Sequence, residues 1–314
     1  MRICRFEHED REQAGFYYDT KTVPVAQAVA ACEQRTQRRH ALPEGSNLLP
    51  FLPGGSHHAE AKAVADWLDK NLDGVPSLDT GSIRLLAPFP QPPKIFLLAG
   101  NYAAHIEEGG EIAVERAKTF PYVFMKPSTT VNHPGAPVPI PRVSPDHIDW
   151  EAELAVVIGK RARHVKEADA LNYVAGYTVI NDISDRKYTP NAGRSPRPKD
   201  EFFDWLHGKW HDGFCPMGPC AISSDAVADP QKLHVTLKVN GETKQDASTA
   251  LQVYPVAAVI EFITQSVTLE PGDIISTGTP AGVGFPTGTF LKPGDVVEAA
   301  IDGIGILKNT MVAE

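Results

Sequence analysis

The stretch IDWEAELAVVIGK, residues 148–160, constrains this chain more than any other. From Leu154 to Ile158 it is continuously apolar and rich in β-branched residues, the pattern of a strand buried on both faces. Yet the run begins with Asp149, Glu151 and Glu153. Side chains alternate across a strand, so Glu151 and Glu153 project from one face, roughly 6 to 7 Å apart along the chain. Two ionised carboxylates at the edge of a core repel each other and lose hydration, so a positive group belongs between them. A divalent cation meets that need best, with a third oxygen ligand from a neighbouring strand.

Asp182 is the candidate for that third ligand. It closes another strand-like run, GYTVINDIS, reached through a turn and the short helical piece KEADALNY. Three carboxylates without histidine or cysteine suit a hard ion, Mg²⁺, with Mn²⁺ and Ca²⁺ as alternatives. Taken alone, an E-x-E pair also reads as a solvated strand end, and Asp182 as an isolated turn acid.

The surrounding chain divides in two. Residues 1–90 mix the strand-like pieces MRICRF and GFYYD with two helical patterns, near Val25–Arg38 and Glu60–Leu72, the second behind a candidate Ser56 cap. A proline-rich connector, APFPQPPK, leads into a second domain, 91–314. There KIFLLAG, ELAVVIGK, GYTVINDI, LHVTLKVNG, DIISTG, DVVEAAIDG and GILKNTMV read as strands, with a hairpin turn at Asn240-Gly241 and one long helix near Pro255–Gln265. The fold class is therefore α+β and β-rich, with a smaller N-terminal α/β segment.

With 42% hydrophobic and 22% charged residues, the composition is that of an ordinary globular chain. A net charge of −9 and the absence of a basic stripe argue against a nucleic-acid partner. No apolar run suits a membrane span or a secretory signal, so the expected location is cytoplasmic. The four cysteines form no C-x-x-C pair and are expected to be reduced and packed.

Several motifs occur together and in order: KIFLLAGNYAAHIEE, IDWEAELAVVIGK, GYTVINDISDRK, GKWHDGFCPMGPC, VNGE and GDIISTGTPAGVG. Together they resemble the fumarylacetoacetate hydrolase family over roughly residues 94–312. The resemblance implies a mixed β-roll domain, usually a homodimer, with Mg²⁺ held by Glu151, Glu153 and Asp182. It implies a small anionic oxo-acid partner, whose carboxylate and adjacent oxo group the ion would chelate while stabilising an enolate. His105 and Glu108 stand three apart and share a face if NYAAHIEE makes a helical turn. The family's hydrolytic members use a matching pair, in which the acid orients an imidazole that activates water.

By the same resemblance, Lys209 offsets negative charge on the substrate, while Thr279 and Tyr102 belong to the substrate side. Arg186 matches a family arginine and equally suits a structural pair with Asp185; Lys126 in FMKP is open in the same way. Where many relatives read NDVSARDLQ, this chain has NDISDRKYT, so Thr189 replaces a glutamine and Asp185 and Lys187 alter the charge. The segment 188–203 reads as a mobile loop near the entrance, whose Arg194, Arg197 and Lys199 either help recruit an anionic substrate or are simply solvated. The implied activity is carbon–carbon bond hydrolysis of a 2,4-dioxo acid such as an acylpyruvate or fumarylpyruvate. The family also supplies the alternatives of decarboxylation, tautomerisation and dehydration.

Overall fold

The computed structural model describes residues 1–113 and 115–314. At its centre lies the strand Ala152–Ile158, every residue of which is buried. Leu154, Val156 and Ile158 enter one apolar cluster, while Ala155 and Val157 enter a second on the opposite side. Period-two alternation thus feeds both faces, and each large aliphatic side chain so buried contributes about 1.5 to 3 kcal/mol.

The central strand pairs antiparallel with Val174–Asn181 on one edge and Ile274–Ser276 on the other. Ile95–Ala99 runs parallel to Ile274–Ser276, and Tyr122–Met125 closes that side of a twelve-stranded sheet. On the other side Val174–Asn181 meets Cys215–Ser223, which in turn pairs with Arg2–His8. The N-terminal strands Arg2–His8, Arg11–Tyr18 and Lys21–Pro24 therefore extend the same sheet by backbone hydrogen bonds.

A five-stranded sheet covers the face of Leu154 and Val156. Its strands His234–Val239 and Val296–Ile301 alternate cleanly, burying Val235, Leu237, Val297, Ala299 and Ile301. Asn240 and Gly241, at φ +52 and +83, make the two-residue type I′ hairpin turn between Val239 and Glu242.

The helix Val256–Ser266 begins after Pro255 and buries Val256, Val259, Ile260 and Ile263. The helices Val25–Thr36 and His58–Leu68 match the N-terminal expectations, with one correction: His57, not Ser56, occupies the cap position, without a side-chain bond. A second correction concerns the segment 188–203. Its end forms the first turn of a helix, Asp200–His207, and Arg194 and Arg197 are bonded to Asp200, with Arg194 also reaching Asp204. Arg194 is largely enclosed by its two acids, whereas Arg197 touches Asp200 but stays 77% exposed. All four cysteines are free and buried. Among the described residues no helix is long and apolar enough to cross a membrane.

Candidate functional site

Strand register brings the carboxylates together. Ala152 pairs with Asn181, the Asn181 side chain accepts from the Glu151 backbone N–H at 2.9 Å, and the Asp182 N–H donates to the Glu151 carbonyl at 2.8 Å. Glu151, Glu153 and Asp182 are all buried, and each offers an oxygen within 4.8 Å of the others. The third acid of the opening stretch has another task. Asp149 accepts from the backbone N–H groups of Trp150, Gly284 and Phe285 and from Arg186 Nε, tying the glycine-rich loop to the strand.

Three buried or nearly buried bases face this cluster. Lys209 Nζ lies 2.6 Å from Asp182 and 3.0 Å from Glu151, under the rings of Phe124 and Trp205 at 5.1 and 5.6 Å. Lys126 donates to Asp182 and to the carbonyls of Ile183 and Phe214. Arg186 bridges Asp149 and Glu151, its Nη2 within 2.7 Å of Glu151 but out of line for a hydrogen bond. Burial alone would raise the Glu151 pKa, but Lys209, Arg186 and His105 outweigh it and hold the carboxyl well below its usual value. Lys209 is raised because Asp182 and Glu151 outweigh its own desolvation.

Glu153 is left over. Its Oε2 accepts from Ser276 and from the Gly278 N–H, at 2.6 and 2.9 Å, while its buried Oε1 has no partner among the described residues. Gly278 reaches it at φ +87, where a Cβ would come within 2.8 Å of the Asn101 Cβ. Burial, then the charges of Asp182 and Glu151, push the Glu153 pKa well above normal. An uncompensated acid among three convergent carboxylates is the electrostatic demand that a divalent ion answers, so these residues fit one.

His105 and Glu108 lie on the short helix Ala103–Glu108. His105 Nδ1 stands 2.7 Å from Glu108 Oε1, and Glu108 Oε2 accepts from the Gly282 N–H at 2.9 Å.

Thr279 and Tyr102 are buried and engaged within the protein. The Thr279 hydroxyl donates to the Ala152 carbonyl and accepts from Gln245; the Tyr102 hydroxyl accepts from Gln252 at 3.3 Å. Gln252 also reaches Thr277, whose hydroxyl donates to the Leu154 carbonyl. The sequence reading left Lys126 open and did not single out Ser276, Gln245 or Gln252. Only the motif GDIISTGTP pointed toward this shell.

A sequence model described as the fumarylacetoacetate (FAA) hydrolase C-terminal matches residues 94–312. The chain is 38% identical over 240 residues to the oxaloacetate tautomerase Fahd2a, mitochondrial, of Rattus norvegicus, covering 76% of this chain and 72% of that one. It is 36% identical over 276 residues to the 2,4-didehydro-3-deoxy-L-rhamnonate hydrolase of a Sphingomonas species, covering 87% and 91%. Among solved structures it resembles a maleylpyruvate hydrolase from a Sphingobium species, in complex with manganese(II) and pyruvate. That match has 26% identity and a TM-score of 0.71, and covers 100% of this chain and 99% of the other.

Proposed function

This chain belongs to the fumarylacetoacetate hydrolase family, and we propose that it is a divalent-metal-dependent hydrolase cleaving a carbon–carbon bond in a 2,4-dioxo acid of acylpyruvate type. The observation that carries this reading is the His105–Glu108 pair. With Glu108 fixed by Gly282 and engaged at Nδ1, the imidazole is oriented and its Nε2 is left to take a proton from water. The activated water adds to the distal carbonyl carbon. The bond from that carbon to the methylene then breaks, its electron pair going to the departing pyruvate enolate, and the imidazolium can return the proton.

Glu151, Glu153 and Asp182 would hold the ion, Mg²⁺ or Mn²⁺, which when bound polarises the 2-oxo acid head and stabilises the enolate. Asp149, Glu151, Glu153 and Asp182 outnumber Lys126, Arg186 and Lys209 by one charge. A divalent ion turns that excess into one positive charge, matched to an anionic substrate. The manganese and pyruvate named for the maleylpyruvate hydrolase support the same assignment. So does the alignment with a named hydrolase over nearly the whole of both chains. A homodimer is part of the proposal.

The likeness to an oxaloacetate tautomerase favours a second reading, in which the same imidazole moves a proton between carbon and enol oxygen without adding water. Incubation with a panel of acylpyruvates and oxaloacetate in the presence of Mg²⁺, with mass identification of products, separates the two. Pyruvate plus a second acid, reduced at least about a hundredfold in rate by Glu108→Gln, is the expected result. Keto–enol exchange without cleavage would give the protein to the second reading.

A further inference from the structure

A cavity of about 810 Å³ opens against the catalytic helix, within the usual size range of ligand pockets. Its walls carry the rings of Phe120, Tyr122, Phe124, Trp205, Tyr254 and Phe262. Phe120 stacks on Phe262 at 6.2 Å and meets Tyr122 edge-on at 5.5 Å. Among the described lining residues there is one acid, Glu111, and no lysine, arginine or histidine.

Three parts of its wall stand beside the carboxylate cluster, although Glu151, Glu153, Asp182 and Lys209 do not themselves line it. Phe124 and Trp205, in its wall, are the rings that cover Lys209. Ile106, also in the wall, follows His105 on the same helix. Tyr254 and Gly100 flank it where Asn101 bonds the carbonyls of Tyr254 and Thr277, one residue before the Gly278 that holds Glu153. The Tyr254 hydroxyl is itself buried and has no partner among the described residues.

A second carboxylate in this space would lose its water among aromatic rings, beside Glu111, with no cation to meet it. An uncharged aromatic or branched group would gain from the same burial. We propose that the cavity is the subsite for the part of the substrate remote from the 2-oxo acid head. That part is then bulky and uncharged, an aromatic or long alkyl acyl group, with the Tyr254 hydroxyl available to one neutral oxygen on it. This rests on the reading of the carboxylate cluster as the site of a 2,4-dioxo acid.

The test is equilibrium binding of stable 2-oxo acids to the full chain with Mg²⁺, which requires no bond cleavage. Phenylpyruvate should bind at least about tenfold more tightly than pyruvate, and 2-oxoglutarate no more tightly than pyruvate. Phe120→Arg, at a position 58% exposed and therefore tolerant, should weaken phenylpyruvate about tenfold and strengthen 2-oxoglutarate. Tighter binding of 2-oxoglutarate than of phenylpyruvate by the unaltered protein would overturn the proposal, as would an unchanged ratio in the variant. Light scattering on both proteins completes the test: a changed assembly with an unchanged ratio would assign the aromatic patch to contact between copies. Phenylpyruvate preference without cleavage of any acylpyruvate would sink the hydrolase reading alone. Cleavage combined with a dianion preference would sink the subsite alone.

Discussion

Lys308 meets Glu298 across the five-stranded sheet at 3.1 Å, and Lys209 meets Glu151 beside the central strand at 3.0 Å. The first pair stands in water, its side chains 60% and 28% exposed, while the second is sealed at 3% and 6%. Nearly equal distances therefore mean different energetics. In water the attraction is screened and ordering two long side chains offsets much of it, so such pairs stabilise by about 0.2 to 1 kcal/mol. In the interior each partner has already lost its hydration, so removing one leaves a charge that nothing solvates. The difference separates a strand that merely carries charge from one built around it.

The largest effect is expected at Lys209. Lys209→Met removes the one cation that Glu151 and Asp182 share, leaving Arg186 to the first and Lys126 to the second, and should destabilise chelator-treated protein by about 3 to 5 kcal/mol in urea titrations. A cost no larger than that of removing an exposed lysine would break the contrast between the two pairs. An intermediate effect of opposite sign is expected at Glu153, whose Oε1 is unpaired. Glu153→Gln should stabilise the chelator-treated protein by about 1 to 3 kcal/mol at pH 8 and abolish stabilisation by added Mg²⁺.

The same residue sets a pH dependence. Its folded-state pKa is raised above the unfolded one, so its contribution to stability is greatest below the unfolded value and is lost as pH rises toward the folded value. Melts of the chelator-treated protein should follow that slope, with Glu153→Gln flattening it. Mg²⁺ binding should strengthen with pH over the same window and release a proton, measurable by calorimetry in two buffers. Lys308→Ala is the smallest case, a loss under about 1 kcal/mol that shrinks further in high salt.

Much of the β architecture was legible because it is written locally. Alternation in His234–Val239 and Val296–Ile301, the Asn240-Gly241 turn and the unbroken apolar run after Glu153 each declare their state within a few residues. The strand Cys215–Ser223 did not, for Pro216 and Pro219 argue against a central strand. The fold accommodates Pro219 where the pairing with Val174–Asn181 is irregular, between the Tyr177 and Val179 positions, and Pro216 beyond the last pair with that strand, Ile180–Met217, beside Asn132. The helix Asp200–His207 was hidden by a segment that reads as a charged loop, because its arginines find acids only once the turn has formed.

The site divides in the same way. The sequence by itself determined the E-x-E pair, its hard-oxygen ligand chemistry and the three-residue spacing of His105 and Glu108, since strand and helix periods decide which near neighbours share a face. Only the tertiary structure decided that Lys126, Arg186 and Lys209 are consumed by Glu151 and Asp182, that Glu153 alone of the three carboxylates lacks a counter-charge among the described residues, and that the strands before residue 25 extend the central sheet. These contacts join residues far apart along the chain, Lys126 to Asp182 for instance, and no local period records which distant charge will arrive in a low-dielectric interior.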